Sequence, residues 1–274
     1  MKEHGLVRRL AGFFFRRART HLSSRLILKI KLLLLSSVLL LVLPGLGQAT
    51  DDANASPADS YTGRENIEWS DIWLPHTTEH ALPRVLLIGD SITRNYYPIV
   101  ENLLEKKAYV CRLTTSQFIS DPLLIGQLTL FLDQMHFDVI HFNNGMHGWD
   151  HSEDDYRAGF PAFLAAIRDH AHGAKLIWAS TTPVTLAGHP DQYDNARTDR
   201  VKARNAIALE AVSAAGIPVD DIFALMLPHP EYHDNSGIHF TQIGEQVQGG
   251  QVAAEIEKLL PSATNPPPVG QPAN

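Results

Sequence analysis

RVLLIGDSIT, residues 84–93, orders the rest of the chain. Arg84 to Ile88 is a short, nearly continuous apolar run. It has no helical period and suits a strand buried on both faces of a parallel sheet. Gly89 permits a tight turn after it, and Ser91 then lands at the strand's carboxyl end as the next helix opens. A serine in that place either caps the helix or acts as a nucleophile.

Working outward, four more runs share the character of the first: 109–113 (YVCRL), 139–143 (VIHFN), 175–179 (KLIWA) and 217–219 (IPV). Helix-period segments separate and follow them, at about 94–107, 122–136, 154–171, 199–214 and 241–259. Ser152, with an acid three residues on, marks the start of the third. Strand and helix alternating five times predict an α/β protein, a five-stranded parallel sheet with helices on both faces. Ligands of such sheets bind at the carboxyl ends of the strands, which is where chemistry is to be sought.

The 274 residues are 44% hydrophobic and 19% charged, which excludes wholesale disorder. Cys111 is the one cysteine, so neither an intramolecular disulfide framework nor a multi-cysteine zinc site is available. The formal charge of −7 hides an asymmetry. Residues 1–31 carry nine of the 23 basic residues and one of the 30 acids, leaving 14 basic and 29 acidic residues, a net −15, over 32–274. So acidic a body is a poor partner for nucleic acid. The basic head precedes an uncharged stretch beginning at Leu32, with small residues at Gly47 and Ala49. That pattern describes a secretory signal peptide over 1–49 or an uncleaved anchor, and the chain is expected to be exported with membrane contact only through this segment. Residues 50–80 read as a linker and N-terminal extension, 81–260 as one domain, and 261–274 as a disordered Pro-rich tail.

The chain has no G-x-G-x-x-G after its first strand, no phosphate-cradling G-x-x-x-x-G-K-[ST] and no G-x-S-x-G elbow. A different element answers Ser91. Before the last helix comes HDNSGIHFT, residues 233–241, in which His239 is preceded by Asp234. A nucleophilic serine needs a base to take its proton and a group to hold that imidazole in the right tautomer.

IGDSIT at 88–93, GIHFT at 237–241 and FNNGMHGW at 142–149, in this order at strand ends, resemble the SGNH/GDSL hydrolases, in particular a GDSL-type esterase subgroup with FNxGLH. The resemblance spans about 84–259. It implies a flavodoxin-like three-layer α/β/α sandwich, ester hydrolysis through an acyl-enzyme, and no cofactor or metal. It assigns Ser91 as nucleophile and first oxyanion donor, and His239 as general base. The residue three before the histidine is usually Asp. Here it is Ser236, so Asp234 reaches the imidazole through a bulged loop, or a backbone carbonyl or water orients the ring. Asn143 or His147 stands in for the usual side-chain oxyanion donor, and a backbone N–H of Ser116 or Ser120 replaces that of an absent glycine. The implied substrate is a small ester, an O-acylated carbohydrate rather than a long lipid. Acyl transfer to a glycan, or glycan binding without catalysis, are the alternatives.

The 14 histidines form no metal-ligand pattern. His170 and His172, two apart on a predicted helix, should face different directions into solvent, and His141 should be a hydrogen-bonded core residue. Residues 182–198 read as a long loop over the active edge, covering the substrate.

Overall fold

The computed structural model describes residues 61–261. The expected export segment, the linker up to residue 60 and the tail beyond Pro261 lie outside them.

In chain order the elements are β1 (Ser70–Trp73), β2 (Arg84–Gly89), α1 (Ser91–Leu104), β3 (Tyr109–Thr115), α2 (Pro122–Gln134), β4 (Val139–Phe142), α3 (Glu153–His170), β5 (Lys175–Ala179), β6 (Thr185–Leu186), β7 (His189–Tyr193), α4 (Asn195–Ala214), β8 (Val219–Asp220), α5 (Ile222–Met226), a 3-10 turn (Pro230–Tyr232) and α6 (Gln242–Glu257). The main sheet has the order β1-β3-β2-β4-β5-β8. Its five predicted strands run parallel, and β2 lies between β3 and β4 with all six residues buried.

Alternation along β2 divides the core. Leu86 and Ile88 pack with α2, α3 and α4 on one face. Val85 and Leu87 pack with α1, α5 and α6 on the other. Two helical layers around a parallel sheet result, which is the predicted sandwich. Ser152 caps α3 as its sequence announced, in a capping box closed by Asp155.

The sheet differs from the expected one by a sixth strand. β1 lies in the segment read as linker and extension, and pairs antiparallel with β3, Ser70 opposite Thr115. Its sequence, SDIW, carries no buried-strand signature because an edge strand covers little: Ile72 and Trp73 remain 45% and 52% exposed. What fixes the extension is polar. Arg64 donates from Nε and a terminal nitrogen to the two carboxylate oxygens of Asp121, at 2.8 and 3.0 Å. Asp121 is fully buried and also caps α2 by accepting from the Leu123 N–H.

The clamp makes a prediction. Arg64→Ala leaves a buried carboxylate without its fork and should cost about 2 kcal/mol in urea unfolding. Proteolysis within 61–80 should accelerate in parallel. An unchanged unfolding midpoint would show that β1 and the extension's other contacts hold it without the clamp.

Candidate active site

Strand β2 ends at Gly89, and α1 folds back so tightly that a Cβ there would lie 2.1 Å from the Thr93 hydroxyl. Asp90, not Ser91, is the N-cap: its carboxylate accepts from the Ile92 N–H at 2.8 Å. Ser91 is thereby free of capping. Its Oγ lies 2.8 Å from Nε2 of His239, 148 positions away.

His239 is delivered by a closed loop. His233 and Phe240 form an antiparallel bridge, and the Asp234 N–H donates to the His239 carbonyl. Gly237 adopts φ +79°, and a Cβ there would meet the Thr185 carbonyl at 2.3 Å. The contact comes from a two-stranded hairpin, β6–β7, where a long loop over the site was expected. The Thr185 N–H donates to Gly237 and the Gly188 N–H to Asn235, so the hairpin props the histidine loop.

The expected contact between Asp234 and the imidazole is absent, and no described carboxylate lies within ion-pair range of His239. Ser236 occupies that place, its Oγ 3.3 Å from Nδ1. The same Oγ donates to Asp234 Oδ1 at 2.5 Å and accepts from the backbone N–H groups of Ile238 and His239. Asp234 also accepts from the Ser236 N–H, so its carboxylate is turned toward Ser236.

Neither expected side-chain oxyanion donor is free. Asn143 spends both amide protons, on the Ala179 carbonyl and the Thr181 hydroxyl. His147 holds a carboxylate oxygen of Glu65 at Nδ1, 2.9 Å away. The Ser116 N–H is taken by the Trp69 carbonyl. Two other donors are available at this edge of the sheet. The Ser91 N–H has no protein partner, and Asn144 donates one amide proton to the Gln117 carbonyl, leaving the second. Asn144 follows β4 and Gln117 follows β3, so their bond crosses over the end of β2, where Ser91 stands.

Arg204, fully buried on α4, fixes the loop after β4 by donating to the carbonyls of Gly145, His147 and Gly148. Elsewhere His141 is a core residue bonded to Asp220, as expected. His170 and His172 do not face apart: both rings reach Asp133, because His172 lies beyond the helix end at φ +47°. Among the described residues no cluster of three His, Cys, Asp or Glu could hold a metal ion, and no helix is long and apolar enough to cross a membrane.

No family model matches the chain, and neither does any curated protein. Solved structures do. The lipase/acylhydrolase from Enterococcus faecalis aligns at 18% identity and TM-score 0.53, over 67% of this chain and 100% of that one. The fold is that of the GDSL-like acylhydrolases. An aryl esterase from M. smegmatis aligns at 16% identity and TM-score 0.54, over 65% of this chain and 100% of its own. Est24, a carbohydrate acetylesterase from Sinorhizobium meliloti, aligns at 12% identity and TM-score 0.53, over 65% and 99%.

At the base of the loop, buried His233 faces the Pro183 and Pro230 carbonyls, and burial pushes its pKa below the ordinary value. The unfolded chain binds this proton near pH 6.5 and the folded chain only at lower pH. Its contribution to stability is therefore complete above about pH 6.5 and lost as pH falls below it. Between pH 7 and 5 the wild type should lose more stability in urea unfolding than His233→Gln. Parallel losses would assign the sensitivity elsewhere.

Proposed function

We propose that this protein is an exported serine esterase acting on small O-acyl esters through an acyl-enzyme on Ser91. The observation that carries the reading is the 2.8 Å contact between Ser91 Oγ and His239 Nε2 at the carboxyl edge of this fold. His239 takes the Ser91 proton as Oγ adds to the ester carbon. The Ser91 N–H and the spare Asn144 proton face the oxyanion. Collapse expels the alcohol, protonated by His239, and water then releases the acid by the same steps.

Hydrogen-bond directions support the tautomer this requires. Nε2 must be bare to accept from Ser91, so Nδ1 carries the proton and faces Ser236 Oγ, whose own proton points to Asp234 and which can therefore only accept, sharing its lone pairs with the Ile238 and His239 N–H groups. Ser236 and Asp234 are thus positioning residues, one acting through the other.

The carbohydrate preference rests on the acidic body and on the resemblance to acetylesterases, and export rests on the N-terminal segment.

p-Nitrophenyl acetate hydrolysis tests the reading. Ser91→Ala should lower kcat by about 10³-fold or more. Ser236→Ala should lower kcat about 10- to 100-fold with little change in KM, the bond at 3.3 Å being long. Asp234→Ala should do much the same, and the double variant no worse than either. Equal activity of wild type and Ser91→Ala would end the proposal.

A further inference from the structure

The extension passes the nucleophile at Trp69. Gly89 is opposite Thr114, and Ser70 is opposite Thr115. Trp69 bonds to Ser116 through the main chain on one side and the Ser116 hydroxyl on the other. Trp69 is therefore level with Ser91, two strand spacings across the sheet edge, about 10 Å. Arg94, one turn after Ser91 on α1, bridges that gap: its guanidinium lies over the Trp69 ring at 4.6 Å. His147 meets the same ring edge-on from the loop after β4.

Arg94 is exceptional among the described arginines. Each of the others has a carboxylate or backbone carbonyl within reach, and Arg94 has neither. The nearby acids are engaged elsewhere. Glu65 holds His147 Nδ1 and the Gly148 N–H, and Glu68 accepts from Ser116 Oγ and the Glu65 N–H. Arg94 also sits in the first turn of its helix, where the macrodipole disfavours a cation, and the acid at that end, the N-cap Asp90, is engaged by the Ile92 N–H. Local electrostatics thus do not account for an arginine here. Stacking on indole holds the guanidinium plane while leaving its N–H edges free, the arrangement suited to a planar, bidentate anion.

We propose that Arg94, laid on Trp69 beside Ser91, is a subsite for a carboxylate carried by the substrate. The substrate is then an anionic ester, in a protein whose acidic body would otherwise repel it. The inference rests on the esterase reading for its meaning but not for its test. The carboxylate belongs either to the alcohol part, as in an acylated uronic acid, or to the acyl part, as in a half-ester of a dicarboxylic acid.

Calorimetric titration of the full chain with glucuronate, succinate and glucose tests binding without turnover. One of the two anions should bind at least tenfold more tightly than glucose, weakening with added salt, and which one identifies the part that bears the charge. Arg94→Gln should remove that preference. Arg168→Gln, at the opposite end of α3 and so at the far sheet edge, should keep it. In hydrolysis, the kcat/KM ratio of p-nitrophenyl hemisuccinate to p-nitrophenyl acetate, or of acetylated glucuronate to acetylated glucose, should fall about tenfold in Arg94→Gln. Anion binding that depends on Arg94 without ester turnover would uphold the subsite and overturn the esterase reading. Equal binding of anions and glucose, or a preference surviving in Arg94→Gln, would overturn the subsite.

Discussion

Strand β2 is buried on both faces and hydrogen-bonded along both edges, and the site depends on that confinement. A strand so enclosed can release its chain only at its end. Gly89 makes the turn, Asp90 takes the cap, and Ser91 is left at the rim with its hydroxyl unclaimed by the backbone. The neighbours β3 and β4 end at the same rim, so the segments that follow them necessarily flank the serine. Gln117 and Asn144 meet across it for that reason.

The second partner arrives by a different constraint. His239 belongs to a short loop whose shape is set by an antiparallel bridge at its base, a positive-φ glycine and the β6–β7 hairpin against it. Within that loop Ser236 lies three residues before the histidine, and its hydroxyl reaches the imidazole but carries no charge. Asp234 supplies the charge through the Ser236 hydroxyl. The loop thus keeps a carboxylate coupled to the ring while no carboxylate touches it.

The sequence made the five parallel strands legible because burial on both faces leaves a continuous apolar run. β1 and the hairpin were illegible for the opposite reason: SDIW and HPDQY lie at exposed edges, and distant contacts rather than periodicity hold them. Ser91 and His239 were readable from strand-end position and order. Ser236 was not, since spacing favours the only acid nearby and says nothing of a hydroxyl between them. Strand parity separated Asn143 from Asn144 without choosing, and the choice came from which amide protons were spent. His147 was misjudged because its partner, Glu65, is 82 positions away in a segment read as linker. Arg94 and Trp69 carried no sequence signal at all, their pairing being a product of sheet register.

The central claim is that His239 activates Ser91. Reaction with a fluorophosphonate, in which Ser91 Oγ displaces fluoride at phosphorus, followed by mass spectrometry of the peptides, tests it most directly. The account predicts one adduct per chain, on Ser91, formed much more slowly in His239→Ala. No adduct at Ser91, or labelling at the same rate without His239, would contradict it.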